Sequence, residues 1–360
     1  MKLHLDKDSF VDLIERTNRE YGIRKDVLEK DYYVCLFLEE LSNKQKAGLP
    51  AYFKGGTALY KSLKKMNRFS EDIDLSVNTE GCSRTQNDKR LAAATKKYVS
   101  LKRNIEECRT NGFEVLTVYD YEPLVTFAKE DRLERFGKVK IEATSFTIGE
   151  PTESILVTPL LYDFASETDK KILQGMFEVA PVPVQTISLE RIYIDKLFAA
   201  EGYSRRDSKE MEFSKHIYDL IVMESLPRIQ ELYVSPEKMK GLLDLRMTEE
   251  QSWHGGVPGV CPCELTFFTT AGKTKAFRDA FELMQDIYVF NPKDRISLST
   301  ALASLSRQKQ FLLSNAAWKK YRLEDIPERK EIAHSVGIVK DKNVSLKSKS
   351  PNQKFTGKER

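Results

Sequence analysis

The chain has 360 residues, a charged fraction of 31% and a formal net charge of +4. That length allows a sizeable core in two domains or in one extended domain, and the small basic excess permits contact with a polyanion without requiring it. Five cysteines without framework spacing argue against a secreted disulfide scaffold, and no apolar run approaches the roughly 18 residues that cross a bilayer.

In chain order, the opening "MKLHLDKDSFVDLIERTNREYG" interrupts its apolar pattern with acids, so it does not read as a signal peptide, and a cytoplasmic location is expected. Residues 8–20 and 24–42 carry helix periodicity; in the second, Leu28, Tyr32, Cys35, Leu38 and Leu41 recur three or four apart. "PAYFKGG" over 50–56 reads as a short strand entering a glycine turn, with Thr57 as N-cap of the helix "ALYKSLKKM". Residues 72–77 alternate as a strand, and 85–112 read as one long basic amphipathic helix. Strands are expected near 113–119, 123–128 and 137–147, with another extended segment over 176–185. From Ser188 the pattern turns helical, with two helices joined around Gly202, and it stays helical to about residue 325. The expected division is a domain over 1–186, a helical domain over 187–330 and a flexible basic tail over 331–360.

The strand "DIDLSV" raises the chemical question. Asp72, Asp74 and Ser76 share one face, and Ile73, Leu75 and Val77 take the other. Solvated acids on an edge strand would be the plain reading, but two carboxylates this close repel each other unless a cation lies between them. Two Mg²⁺ ions, about 4 Å apart, meet that need in phosphoryl transfer. Gly55, Gly56 and Thr57 precede a helix N-terminus, where glycine lets backbone N–H groups approach a phosphate closely. In "GKVKIEATSF", Glu142 stands on the polar face of another strand, suited to hold metal or to take a proton from an attacking hydroxyl. Ser70 and Lys61 are further candidates for phosphate contact, and the basic stretches 60–68, 95–103 and 203–209 for contact with RNA. A zinc site at His254, Cys261 and Cys263 is disfavoured, because Cys-Pro-Cys is too tight and a fourth ligand is missing.

The chain resembles the nucleotidyltransferase superfamily that includes DNA polymerase β, and more narrowly the AbiEii/AbiGii toxins of abortive-infection and toxin–antitoxin systems. The motifs are "EKDYYV" at 29–34, "KGGTALYK", "RFSEDIDL" at 68–75, "KIE" at 140–142, Lys196 in "YIDKLFAA" and "KHIYDL" ending at Leu220. The last departs from the commoner family pattern by placing His216 where an aspartate stands, and His216 reads as a local partner of Asp219. The resemblance implies an α+β fold: a polymerase-β-like domain with a small mixed sheet, followed by a mainly helical domain. It implies metal at Asp72 and Asp74, triphosphate at Gly55, Gly56 and Thr57, phosphate neutralisation by Lys196, and a pocket completed by Asp219. The implied reaction moves a nucleoside monophosphate from an NTP to RNA, with a tRNA 3′ end as leading acceptor, in a toxin restrained by a cognate antitoxin and acting in phage defence. A protein or small-molecule hydroxyl as acceptor, and a non-catalytic NTP-binding regulator, stand as alternatives.

Overall fold

The computed structural model describes residues 1–65, 67–125, 135–252, 257 and 259–326. Helix α1, Lys7–Tyr21, starts where the Asp6 side chain accepts the Ser9 N–H and ends at Gly22 with φ +70°. Helix α2, Lys25–Lys46, is buried along most of its length. Strand β1, Ala51–Lys54, runs straight into α3, Gly55–Leu63; the helix therefore begins at Gly55, with Lys54 as its cap residue. Thr57 lies inside the first turn, and the N-cap position expected of it falls to Lys54, which makes no side-chain cap bond.

Strand β2, Ile73–Val77, leads to α4, Arg84–Thr95, which opens on a capping box between Ser83 and Gln86. The expected helix over 85–112 stops here. The chain passes Lys97 at φ +61° and returns as β3, Lys102–Asn111, hairpinned through Gly112 at φ +55° to β4, Glu114–Asp120. Gly112 and Phe113 form the two-residue loop between Asn111 and its partner Glu114, with glycine at the first, positive-φ position. Half of the strand expected over 123–128 lies outside the described residues, and Pro123–Val125 are not strand.

Strand β5, Lys138–Thr144, is followed by β6, Thr152–Val157, α5, Leu160–Asp163, α6, Glu167–Phe177, and β7, Val182–Ile187. The extended segment expected over 176–185 is thus the end of a helix and the start of a strand. Helices α7, Leu189–Ser204, and α8, Glu210–Glu224, come next; Gly202 lies inside α7, and the joint falls after Ser204. The remainder is α9, Pro227–Val234, α10, Pro236–Ser252, α11, Phe267–Thr270, α12, Lys275–Tyr288, α13, Leu298–Ser314, and α14, Ala316–Lys320. The basic tail over 331–360 lies outside the described residues.

The seven strands form one mixed sheet in the order β3-β4-β5-β2-β1-β7-β6. The β2–β5 and β1–β7 pairs are parallel and the rest antiparallel. Phe53, Leu75, Ile141 and Ala143 are buried at the centre. The strands end at Ile187, near the position where the sequence changes character, yet one apolar cluster includes Leu28, Leu75, Leu197, Leu220 and Leu305 from both halves. No helix among the described residues is long and apolar enough to cross a membrane.

The motif at 29–31 anchors the loops around the sheet. Glu29 accepts the Leu124 N–H at 2.7 Å, and buried Lys30 donates to the carbonyls of Arg135, at 2.7 Å, and Lys138. Asp31 pairs with Lys61 at 2.6 Å and accepts the Leu160 N–H. Burial pushes the Glu29 carboxyl up to about 7 from an ordinary 4.5, and its Oε2 has no hydrogen-bond partner. The folded state thus keeps a proton that the unfolded chain releases, so this group favours folding most below pH 4.5 and progressively less as pH rises to about 7. Glu29→Gln should flatten that decline, which thermal unfolding at a series of pH values would read.

Candidate active site

Register builds the site before any side chain is considered. Lys54 pairs with Asp74 across β1 and β2, and Asp74 pairs with Glu142 across β2 and β5. One polar row therefore crosses the middle of the sheet. It opens on a cavity of about 350 Å³ between the sheet and the α7–α8 pair, walled by Lys54, Gly55, Asp74, Glu142, Lys196 and His216 among others. That is a volume suited to a small organic ligand.

Gly55 fits the acid tightly. Its φ is +81°, and a Cβ there would sit 2.1 Å from Asp74 Oδ2, so a side chain is excluded both by conformation and by space. At Gly56 a Cβ would meet Ser70 Oγ at 2.6 Å and an Arg68 guanidinium nitrogen at 2.8 Å. The N-terminus of α3 is in this way pressed against both the acidic strand and the loop before it. The Thr57 hydroxyl donates to Ser70 Oγ at 3.1 Å.

The acids perturb one another. Burial, then Asp72, pushes the Asp74 carboxyl up to about 6, against the pull of Lys54 and Lys196. Burial, then Asp74, and a hydrogen bond with Glu114 push Glu142 up to about 8. Glu114, on β4, lines the same cavity and is an acid that sequence reasoning missed. It was not legible because its nearness to Glu142 depends on the β4–β5 register, where Leu116 opposes Glu142 and Glu114 opposes Thr144. Lys54 was also missed; its ammonium donates to Thr144 Oγ1 at 2.9 Å and Thr147 Oγ1 at 3.3 Å.

The expected residues do not all converge. Asp72 is half-buried just before β2 and stands outside the cavity wall, though close enough to act on Asp74. Among the described residues no three Asp, Glu, His or Cys side chains are grouped to hold a metal ion, so Asp72, Asp74 and Glu142 are not assembled as a three-carboxylate site. Glu142 is engaged by Glu114 instead. The neighbouring carboxylates Asp72 and Asp74 still suit a hard cation such as Mg²⁺, which completes its shell with water and substrate phosphate. Thr57, Lys61 and Ser70 line a separate cavity of about 30 Å³. Lys61 is held there by Asp31 and by the Thr158 carbonyl.

Lys196 reaches the main cavity, and Asp219 does not. Asp219 is fully buried and accepts from Arg68 Nε and Nη2 at 2.7 Å each, from the Tyr60 hydroxyl at 2.7 Å and from Lys196 at 2.6 Å. Despite its burial, Arg68 and Lys196 hold its carboxyl well below the ordinary range. Asp219 thus positions Lys196 rather than lining the pocket, and its partner is not His216. Of the three basic stretches, only 203–209 reaches the wall of the main cavity among the described residues, through Tyr203 and Arg206. Cys261 and Cys263 are free thiols, and His254 lies outside the described residues.

A family model described as nucleotidyl transferase AbiEii toxin, type IV TA system, matches residues 36–306, most of the chain. Among solved structures, the chain is similar to MenT4, a nucleotidyltransferase toxin of Mycobacterium tuberculosis H37Rv, with 14% identity and a TM-score of 0.52. The match covers 91% of this chain and 98% of MenT4, and it shows a shared α+β fold. No curated protein matches.

Two substitutions separate the roles of these residues. Gly55→Ala should lower activity by about 100-fold by displacing Asp74, whereas Gly175→Ala, in open space on α6, should leave activity unchanged. Asp219→Asn should cost about 3–5 kcal/mol in denaturant unfolding, because it leaves two buried cations without their counter-charge.

Proposed function

We propose that this chain, which belongs to the AbiEii family of nucleotidyltransferase toxins of type IV toxin–antitoxin systems, transfers a nucleoside monophosphate from an NTP to a hydroxyl of RNA, with a tRNA 3′ end as the leading acceptor. The observation that carries the reading is the glycine-tight contact between the α3 N-terminus and Asp74, which sets the start of a helix, where phosphate would be favoured, beside an acidic pair. A packing role alone would need neither the positive φ at Gly55 nor a carboxylate against it.

The chemistry follows from the residues around the cavity. The acceptor oxygen attacks the α-phosphorus, the bond to the β-phosphate oxygen breaks, and pyrophosphate leaves. Lys196, fixed by Asp219, offsets negative charge on the triphosphate. The N–H groups of Gly55 and Gly56 at the start of α3 orient it. Glu142, whose carboxyl burial and Asp74 push up, accepts the hydroxyl proton at its carboxylate once ionised. Asp72 and Asp74 would hold Mg²⁺, which supplies charge neutralisation at the transferred phosphoryl group. Growth arrest through blocked translation, restraint by an antitoxin, a role in phage defence and a cytoplasmic location belong to the same proposal.

Incubation with each labelled NTP, Mg²⁺ and total RNA tests it. The expected outcome is label on RNA with release of pyrophosphate, and loss of about 100-fold or more in Asp72→Ala and Asp74→Ala. Label on protein, or NTP binding without transfer, would overturn the RNA reading, and full activity in both aspartate variants would overturn the metal role.

A further inference from the structure

Across the cavity from the acids stands a wall that the transfer chemistry does not use. Tyr203, at the end of α7, and His216, on α8, are stacked rings with centroids 5.2 Å apart and an interplanar angle of 17°. Both line the main cavity, and His216 Nδ1 is buried without a hydrogen-bond partner. A buried polar atom left in this way is rare in a folded protein and calls for an explanation. The Arg206 guanidinium lies 5.5 Å from the Tyr203 ring centre, adding a cation to the stack.

The spacing relates this wall to the phosphate end of the cavity. Tyr203 follows Lys196 by seven residues on one helix, so the two share a face and lie about 10 Å apart along the axis. On α8, His216 precedes Asp219, the residue that holds Lys196, by three. The pair of helices thus presents a fixed ammonium and, two turns along α7 from it, the Tyr203 ring with the His216 ring stacked on it. A nucleotide has the same layout, with charged phosphates at one end and a flat base with polar edges at the other.

We propose that Tyr203 and His216 form the nucleobase subsite of the NTP, with the rings packing against the base and His216 Nδ1 reading a polar group on its edge. The inference rests on the reading of this cavity as an NTP site. Burial, then Lys196, lowers the His216 pKa well below 6.5, so the ring is neutral and does not compete with Lys196 for phosphate. A neutral imidazole that discriminates by hydrogen bonding rejects bases that leave its nitrogen unpaired.

The test measures equilibrium binding of each of the four NTPs together with steady-state transfer for wild type, His216→Phe and Tyr203→Ala. His216→Phe keeps a flat ring without the nitrogen, and it should shrink the ratio of kcat/KM between the best and worst NTP by about tenfold or more. Tyr203→Ala should raise the KM for NTP by about tenfold or more while leaving the KM for RNA unchanged. Tyr203→Leu, which keeps apolar bulk, replaces the alanine variant if thermal unfolding shows that variant to be unfolded. Wild-type base preference and NTP affinity in both variants would overturn the inference while leaving the transfer reaction standing. A rise confined to the KM for RNA would assign the wall to the acceptor and overturn it as well. NTP binding that depends on His216 and Tyr203 in a protein that transfers nothing to RNA would support the subsite and overturn the proposed reaction. Failure of the wild type to bind any NTP would overturn both.

Discussion

A single buried carboxylate ties the two halves of the molecule together. Asp219 takes two hydrogen bonds from Arg68 in the loop before β2, one from Tyr60 on α3 and one from Lys196 on α7. Such a cluster costs desolvation that its Coulomb energy only partly offsets, so its value lies less in net stability than in the geometry it imposes. With Arg68 fixed, the loop carrying Phe69 and Ser70 is held against Gly56. With Lys196 fixed, an ammonium stands at the cavity opposite Asp74. The helical part of the chain therefore supplies half of the site, and its placement depends on contacts between residues 151 positions apart.

The acidic row works by a different constraint. Strand register places Lys54, Asp74 and Glu142 side by side, and Glu114 joins them from the next strand. Burial and mutual repulsion raise Asp74 and Glu142 toward neutral pH. Carboxyls raised in this way by burial and a like-charged neighbour are characteristic of functional sites. The polar row persists because its opposite face, with Phe53, Leu75 and Ala143, is sealed in the core.

What the sequence made legible was local. Alternation along "DIDLSV" put Asp74 on the cleft face, and the paired glycines marked a close approach that the structure locates at Asp74 and Ser70. Lys196 was found through its motif, but the motif could not reveal that Asp219 serves Lys196 from beneath, since only the fold brings the α7–α8 pair onto α3. Lys61 looked like a phosphate ligand because it follows the glycine turn; Asp31, thirty residues earlier, claims it instead. The long helix expected over 85–112 ends at Thr95, and residues 102–111 pair instead as a strand with 114–120 across the turn at Gly112, a long-range pairing that helical periodicity does not report. Glu114 and Tyr203 stand in no motif, His216 stands in one only as a departure from the family pattern, and no spacing rule would have found the stack.

In the proposed reaction a triphosphate would meet the α3 N-terminus, and Asp72 and Asp74 would hold the divalent cation that neutralises it. A crystal structure of the full chain with a non-hydrolysable NTP analogue and Mn²⁺, read by anomalous scattering, tests this directly. The account predicts a manganese peak bound by both aspartates, with phosphate oxygens on the N–H groups of Gly55 and Gly56. A nucleotide bound elsewhere, or in this cavity with no metal at either aspartate, would contradict it.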